Sequence, residues 1–270
     1  MHTVRMLTLA FALLLCIAAT NTIAQQNDLL AIVEVKEGCV IGGVQNHRWI
    51  ATEKMEKLVK APLTLELYTI GNHQTLTFVS EAEECHLGWK PQSGPELNGG
   101  VAIQAPNWNP LPRTPRAIDT HDPAYVNVVR NILLTAGLKK PEVNINEGYK
   151  IDLDGDGQDE AIIVASHSQH GVSELSGIGR ETAAGDYAIV IIRKIVSGKV
   201  QTIFVVKDIR RGANTSGLAR GYHISAIADL NGDGRMEIAL YSAYYEGSSA
   251  DIFDLNGTKL TAVLGCGCEH

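Results

Sequence analysis

The sequence predicts a mainly β protein with a few short helices, built from antiparallel sheets. Three observations carry that prediction. Apolar residues come in short runs, several strictly alternating with polar ones, and the runs are bounded by Gly, Pro, Asn and Asp. An Asn256-Gly257 pair separates two such runs, the strongest short-range signal for a hairpin. An acidic segment occurs twice, 77 residues apart, and each copy leads directly into an apolar, β-prone run.

The chain has 270 residues, enough for one large domain or two small ones. At 45% hydrophobic and 20% charged it can bury a core and is not a solvating segment. Its formal charge of −7 argues against nucleic acid or an anionic membrane surface as a partner, since both select basic faces. Met6 to Ala19 is almost wholly apolar but shorter than the roughly 20 residues of a membrane span. Thr22-Ile23-Ala24 ahead of Gln25 suits cleavage after a small residue. The expectation is a signal peptide over 1–24 and an exported chain, secreted or, in a Gram-negative bacterium, periplasmic. No later stretch is long and apolar enough to span a bilayer, so no membrane span is expected in the mature chain.

Export favours disulfides. Cys16 falls in the expected signal, which leaves Cys39, Cys85, Cys266 and Cys268, with three possible pairings. A Cys39–Cys85 bridge stapling the N-terminal region is one expectation. Cys266 and Cys268 are too close for an unstrained bridge to each other, and with His270 they make a thin donor set for zinc, which takes four ligands.

Residues 25–118 read as an N-terminal β-rich domain of unknown type. Leu29 to Val35, Val40 to Gly43, Leu63 to Ile70 and Thr75 to Val79 are strand candidates, and residues 51–60 carry Met55, Leu58 and Val59 at helical spacing. Residues 88–116 are rich in Pro and Gly and read as a loop or linker, placing a boundary near 118. The second domain, 119–270, opens with a helix whose ends are legible. Thr120 or Asp122 can cap it, Pro123 fits its first turn and Gly137 its end. Tyr125, Val128, Val129, Ile132 and Leu133 form its apolar stripe. Strands follow over 161–165, 187–196, 200–206, 224–228, 238–243 and 252–254, the last turning into 259–264.

The repeated segments are Asp152-Leu153-Asp154-Gly155-Asp156-Gly157-Gln158-Asp159-Glu160 and Asp229-Leu230-Asn231-Gly232-Asp233-Gly234-Arg235-Met236-Glu237. Oxygen side chains stand at loop positions 1, 3, 5 and 9, and glycine at 4 and 6. Calcium takes six to eight hard oxygen ligands. Carboxylates at alternate positions converge only if the chain curls tightly, which glycine permits. Position 7, Gln158 or Arg235, would give its backbone carbonyl. An EF-hand would need an acid at position 12 and an exiting helix, whereas Ile163 and Leu240 stand there, within apolar runs.

With these residues the chain resembles the FG-GAP/VCBS group of calcium-loop repeats, found in integrin-like β-propeller blades. The resemblance covers about 145–265. It implies one Ca2+ per loop, two in all, with each loop joining two strands of a blade; with only two such loops, 77 residues apart, the expectation is blade-like antiparallel sheets, propeller-like but short of a closed ring. Carried over by position, the ligands would be Asp152, Asp154, Asp156 and Glu160, and Asp229, Asn231, Asp233 and Glu237. Counting carboxylates, four against three plus an amide, ranks the first loop as the tighter binder.

The function expected is that of an exported, non-catalytic calcium-binding protein that meets a protein or carbohydrate partner through its loops. The alternative is a secreted hydrolase with calcium as scaffold and a site in loop 166–186, where Ser166, His167, Ser168, His170, Ser173 and Glu174 lie. Tyr244-Tyr245-Glu246-Gly247 reads first as packing at a sheet edge, with an aromatic contact for a partner or glycan as the alternative.

Overall fold

The computed structural model describes residues 29–82, 87–94, 97–169, 182–212, 220–244 and 247–269. The expected signal peptide, Cys85 and Cys16 lie outside them. Among the described residues no helix is long and apolar enough to cross a membrane. The protein is mainly β, as expected, with three antiparallel sheets and two helices among the described residues.

Sheet I collects the N-terminal strands β1 (Leu29–Glu34), β2 (Cys39–Gln45), β3 (Arg48–Ile50), β4 (Leu63–Thr69), β5 (Asn72–Ala82), β6 (Leu87–Pro91) and β7 (Val101–Ile103) in the order β3-β2-β1-β7-β4-β5-β6. The helix expected over 51–60 shrinks to α1, Thr52–Met55. Only Met55 of its apolar residues is buried, while Leu58 stays half exposed. The Pro- and Gly-rich stretch is more than a linker: it contributes β7, a central strand that joins β1 to β4. Three apolar residues bounded by glycine give too short a run to stand out, and the neighbouring strands supply the hydrogen bonds that order them.

Sheet II runs β12-β11-β10-β9-β8, from β8 (Arg116–Ala117), β9 (Ile145–Ile151), β10 (Glu160–His167), β11 (Tyr187–Val196) and β12 (Lys199–Ile209). Sheet III runs β13-β14-β15-β16, from β13 (Gly221–Ala228), β14 (Glu237–Tyr244), β15 (Gly247–Asn256) and β16 (Lys259–Glu269). Between β8 and β9 lies α2, Pro123–Thr135, capped by Asp122, whose carboxylate accepts from the Ala124 amide. β9–β12 and β13–β16 are therefore two four-stranded meanders of the same order.

The sheets stack with sheet III in the middle. Its strand β14 is buried along its whole length because both faces are covered. One face offers the small side chains Ala226, Ala228, Ala239 and Ala250 to the larger Ile32, Ile41, Tyr68 and Ile103 of sheet I. The other sets Ile224, Ile227, Ile238 and Leu240 against Ile162, Val164, Val190 and Ile192 of sheet II. The far face of sheet II takes Val129 and Leu133 of α2. The apolar core thus crosses the boundary expected near 118.

A disulfide joins Cys39 of β2 to Cys266 of β16, with Cα atoms 6.4 Å apart. It ties sheet I to sheet III and excludes a Cys39–Cys85 bridge. Cysteine spacing could not foresee it, since it depends on the first and last parts of the chain lying face to face. Cys268 is disulfide-bonded as well.

Candidate metal centre

The two acidic segments occupy the same place in their sheets. Residues 152–159 link β9 to β10, and residues 229–236 link β13 to β14. In each, the position-1 carboxylate organises the turn by accepting backbone amides. Asp152 accepts from Gly155 (2.7 Å), Asp156 (3.1 Å) and Gly157 (3.0 Å). Asp229 accepts from Gly232 (2.7 Å) and Gly234 (2.9 Å). The glycines at position 4, Gly155 and Gly232, have φ of 78° and 77°, a left-handed conformation that other residues adopt at a cost. The position-5 carboxylates accept from the amides of Gln158 (2.8 Å) and Arg235 (2.9 Å). At position 9, Glu160 and Glu237 each accept from the amide of a fully buried leucine at position 2, Leu153 (2.8 Å) and Leu230 (2.7 Å).

The loops lie side by side. The Met236 amide donates to the Leu153 carbonyl (2.8 Å), and the Arg113 guanidinium bridges the carbonyls of Leu153 (3.2 Å) and Gly234 (2.7 Å). Two residues of sheet I and its exit segment brace the second loop. His47 Nδ1 lies 2.8 Å from the Asn231 carbonyl, and Trp108 Nε1 donates to the Asp229 carbonyl at 2.8 Å. These side chains share a small cavity of about 150 Å³ with Leu30, Val44, Asn46, Ala105 and Asn107.

Of the expected ligands, Asp152, Asp154 and Asp156 bring carboxylate oxygens within 4.8 Å of one another. The Lys194 ammonium sits against this group, 2.9 Å from Asp154 Oδ2, 3.4 Å from Asp156 Oδ2 and 2.7 Å from Glu160 Oε1. Burial works against its charge, but the hydrogen bonds it donates to Glu160 and Asp154 outweigh that and raise its pKa. Asp154 Oδ1 remains without a partner. Gln158 is exposed.

The second loop is arranged differently. Arg235 reaches outward to Asp254 (3.1 Å) and to Asp233 Oδ2 (2.5 Å). Asn231 accepts from the Asp233 amide (2.9 Å). Glu237 is fully buried, and its Oε1 has no hydrogen-bond partner. Burial holds its pKa well above the usual carboxylate range, and Asp233, Asp229 and Asp254 push it the same way. A buried carboxylate oxygen with no donor is costly. A divalent cation would satisfy it, although Asp229, Asp233 and Glu237 are not drawn within 4.8 Å of one another as the carboxylates of the first loop are. Asp229, Asn231, Asp233, Glu237 and the Arg235 carbonyl would hold it.

No protein-family model, curated protein or solved structure matches the chain.

Lys194, Asp254, Arg113, His47 and Trp108 are absent from the sequence-predicted site. Lys194 carries a signal, since it stands beside Arg193 inside the apolar run Tyr187–Val196. The others come from segments distant in sequence. In the loop expected as the alternative site, residues 170–181, with His170, Ser173 and Glu174, lie outside the described residues. Ser166 is buried and donates its hydroxyl to Asn146 Oδ1 (2.8 Å), and the His167 ring stacks on Tyr187. Tyr244 is buried, and Tyr245 and Glu246 lie outside the described residues.

Proposed function

We propose that this chain is an exported, non-catalytic calcium-binding protein of FG-GAP/VCBS-like build, in which loops joining the first two strands of a four-stranded meander hold the ion. The observation that carries the reading is the unpartnered, fully buried Glu237 Oε1 in a loop of oxygen donors whose backbone geometry recurs at the corresponding turn of sheet II. The bound ion supplies charge neutralisation among carboxylates that otherwise repel. The Cys39–Cys266 disulfide is in keeping with export.

A partner surface is best placed at the cavity beside the second loop. Trp108 gives it an aromatic wall, and Asn46 and Asn107 give it amide side chains, a lining suited to a sugar ring or a protein side chain. His47 and Trp108 also brace the loop, so cation binding and the shape of this cavity are linked.

Thermal unfolding of the purified protein in EDTA, in millimolar calcium and in millimolar magnesium tests the reading. Binding to the folded state alone adds RT ln(1 + [L]/Kd), about 2.7 kcal/mol at one hundred times Kd. The expected result is a calcium-specific rise of several degrees. No rise, with the protein folded throughout, refutes it.

A further inference from the structure

The two loops share a backbone but not an electrostatic arrangement, and strand register explains why. In sheet II, Ala161 of β10 pairs with Arg193 of β11, so the next residue along, Lys194, stands across from Glu160. In sheet III, Ile238 of β14 pairs with Phe253 of β15, so the corresponding residue across from Glu237 is Asp254. The same place therefore holds a cation beside the first loop and an anion beside the second.

An ammonium has three donors and no acceptor. Lys194 directs its ammonium at three carboxylate oxygens of the first loop, at positions 3, 5 and 9, and its side chain is only 5% exposed. These are oxygens that a divalent ion in that loop would need. The ammonium is carried by a central strand paired on both sides, so register fixes its position. Arg235 is placed otherwise. It belongs to the second loop itself, is 28% exposed on its side chain, and turns outward to Asp233 and Asp254 without touching Glu237. Glu160 Oε1 has its cation and Glu237 Oε1 has none; the oxygen left over in the first loop, Asp154 Oδ1, belongs to a carboxylate whose Oδ2 the ammonium already holds at 2.9 Å.

We propose that the first loop, 152–160, carries a built-in cation in Lys194 and takes no metal, so that the chain binds one divalent ion, at loop 229–237. The inference rests on the calcium reading above and reverses the ranking that counting carboxylates gives. The repeat has divided its roles: one loop is permanently closed from within, and the other depends on the surrounding calcium.

Isothermal titration with calcium, on the wild-type chain and on the variants Lys194→Met and Glu237→Gln, tests it. The expected stoichiometries are one ion for the wild type, none for Glu237→Gln, and two for Lys194→Met, whose melting temperature should also fall in EDTA and recover in calcium. Two ions in the wild type overturn the inference and leave the calcium reading standing. One ion that survives in Glu237→Gln does the same. No ion in the wild type or in Lys194→Met overturns both. Should Lys194→Met fail to fold, the wild type and Glu237→Gln decide alone, since both expectations concern a single ion at the second loop.

Discussion

Glu34 is a second carboxylate buried without a cation, away from the loops. It is fully enclosed between sheets I and III, where it accepts from the Glu37 amide (2.7 Å) and the Ser225 hydroxyl (2.9 Å). Burial raises its pKa to about 7, and these hydrogen bonds offset only part of that. A carboxyl that holds its proton more tightly when folded destabilises the fold as pH climbs from the unfolded value, near 4.5, through about 7. The loss is complete above pH 7 and on the order of 3 kcal/mol. Glu34→Gln keeps an acceptor and removes the charge. It should melt close to the wild type at pH 5 and clearly above it at pH 8. Melting differences that are equal at the two pH values would show that folding does not raise the Glu34 pKa.

At the scale of elements, the two turns can be told apart by their neighbours. Gly155 and Gly232 share the same left-handed backbone, so replacing either with alanine incurs the same strain, about 1–2 kcal/mol. A Cβ at Gly155 would meet only the tip of the Arg113 side chain, at 3.4 Å. At Gly232 it would come within 2.8 Å of both His47 and Trp108, the two side chains that brace the loop. Gly155→Ala should therefore cost about 1–2 kcal/mol, and Gly232→Ala a further ~1–3 kcal/mol from overpacking. Denaturant unfolding of the two variants measures this, and equal losses would mean that the brace yields freely. Much of this level was legible in the sequence. Alternation and turn residues place most strands of the two meanders within a few positions, and α2 starts and stops at its expected cap and glycine. Short apolar runs such as β7, and the collapse of the 51–60 helix to one turn, were not legible, because cross-strand pairing rather than local periodicity decides them.

For the whole molecule, the two acidic segments lie between strands as their sequence pattern suggests, but what lies against them was not legible. Lys194 reaches its loop through the β10–β11 register, and His47, Trp108 and Arg113 reach theirs through the stacking of sheets that are remote in the chain. Cys39 and Cys266, at opposite ends, belong to the same lesson. Because sheet III shares one apolar face with sheet I and the other with sheet II, a loop at its first turn is anchored to both neighbours. A cation bound there would stabilise the stack rather than one hairpin.

That expectation meets its most direct test in the melting order of the wild type and Glu237→Gln, each measured in EDTA and in millimolar calcium. Glutamine keeps an acceptor for the Leu230 amide and removes the buried charge. The variant should melt above the wild type in EDTA, where the charge is uncompensated, and below it in calcium, where the wild type gains the ion. The same order in both solutions would contradict a cation at Glu237.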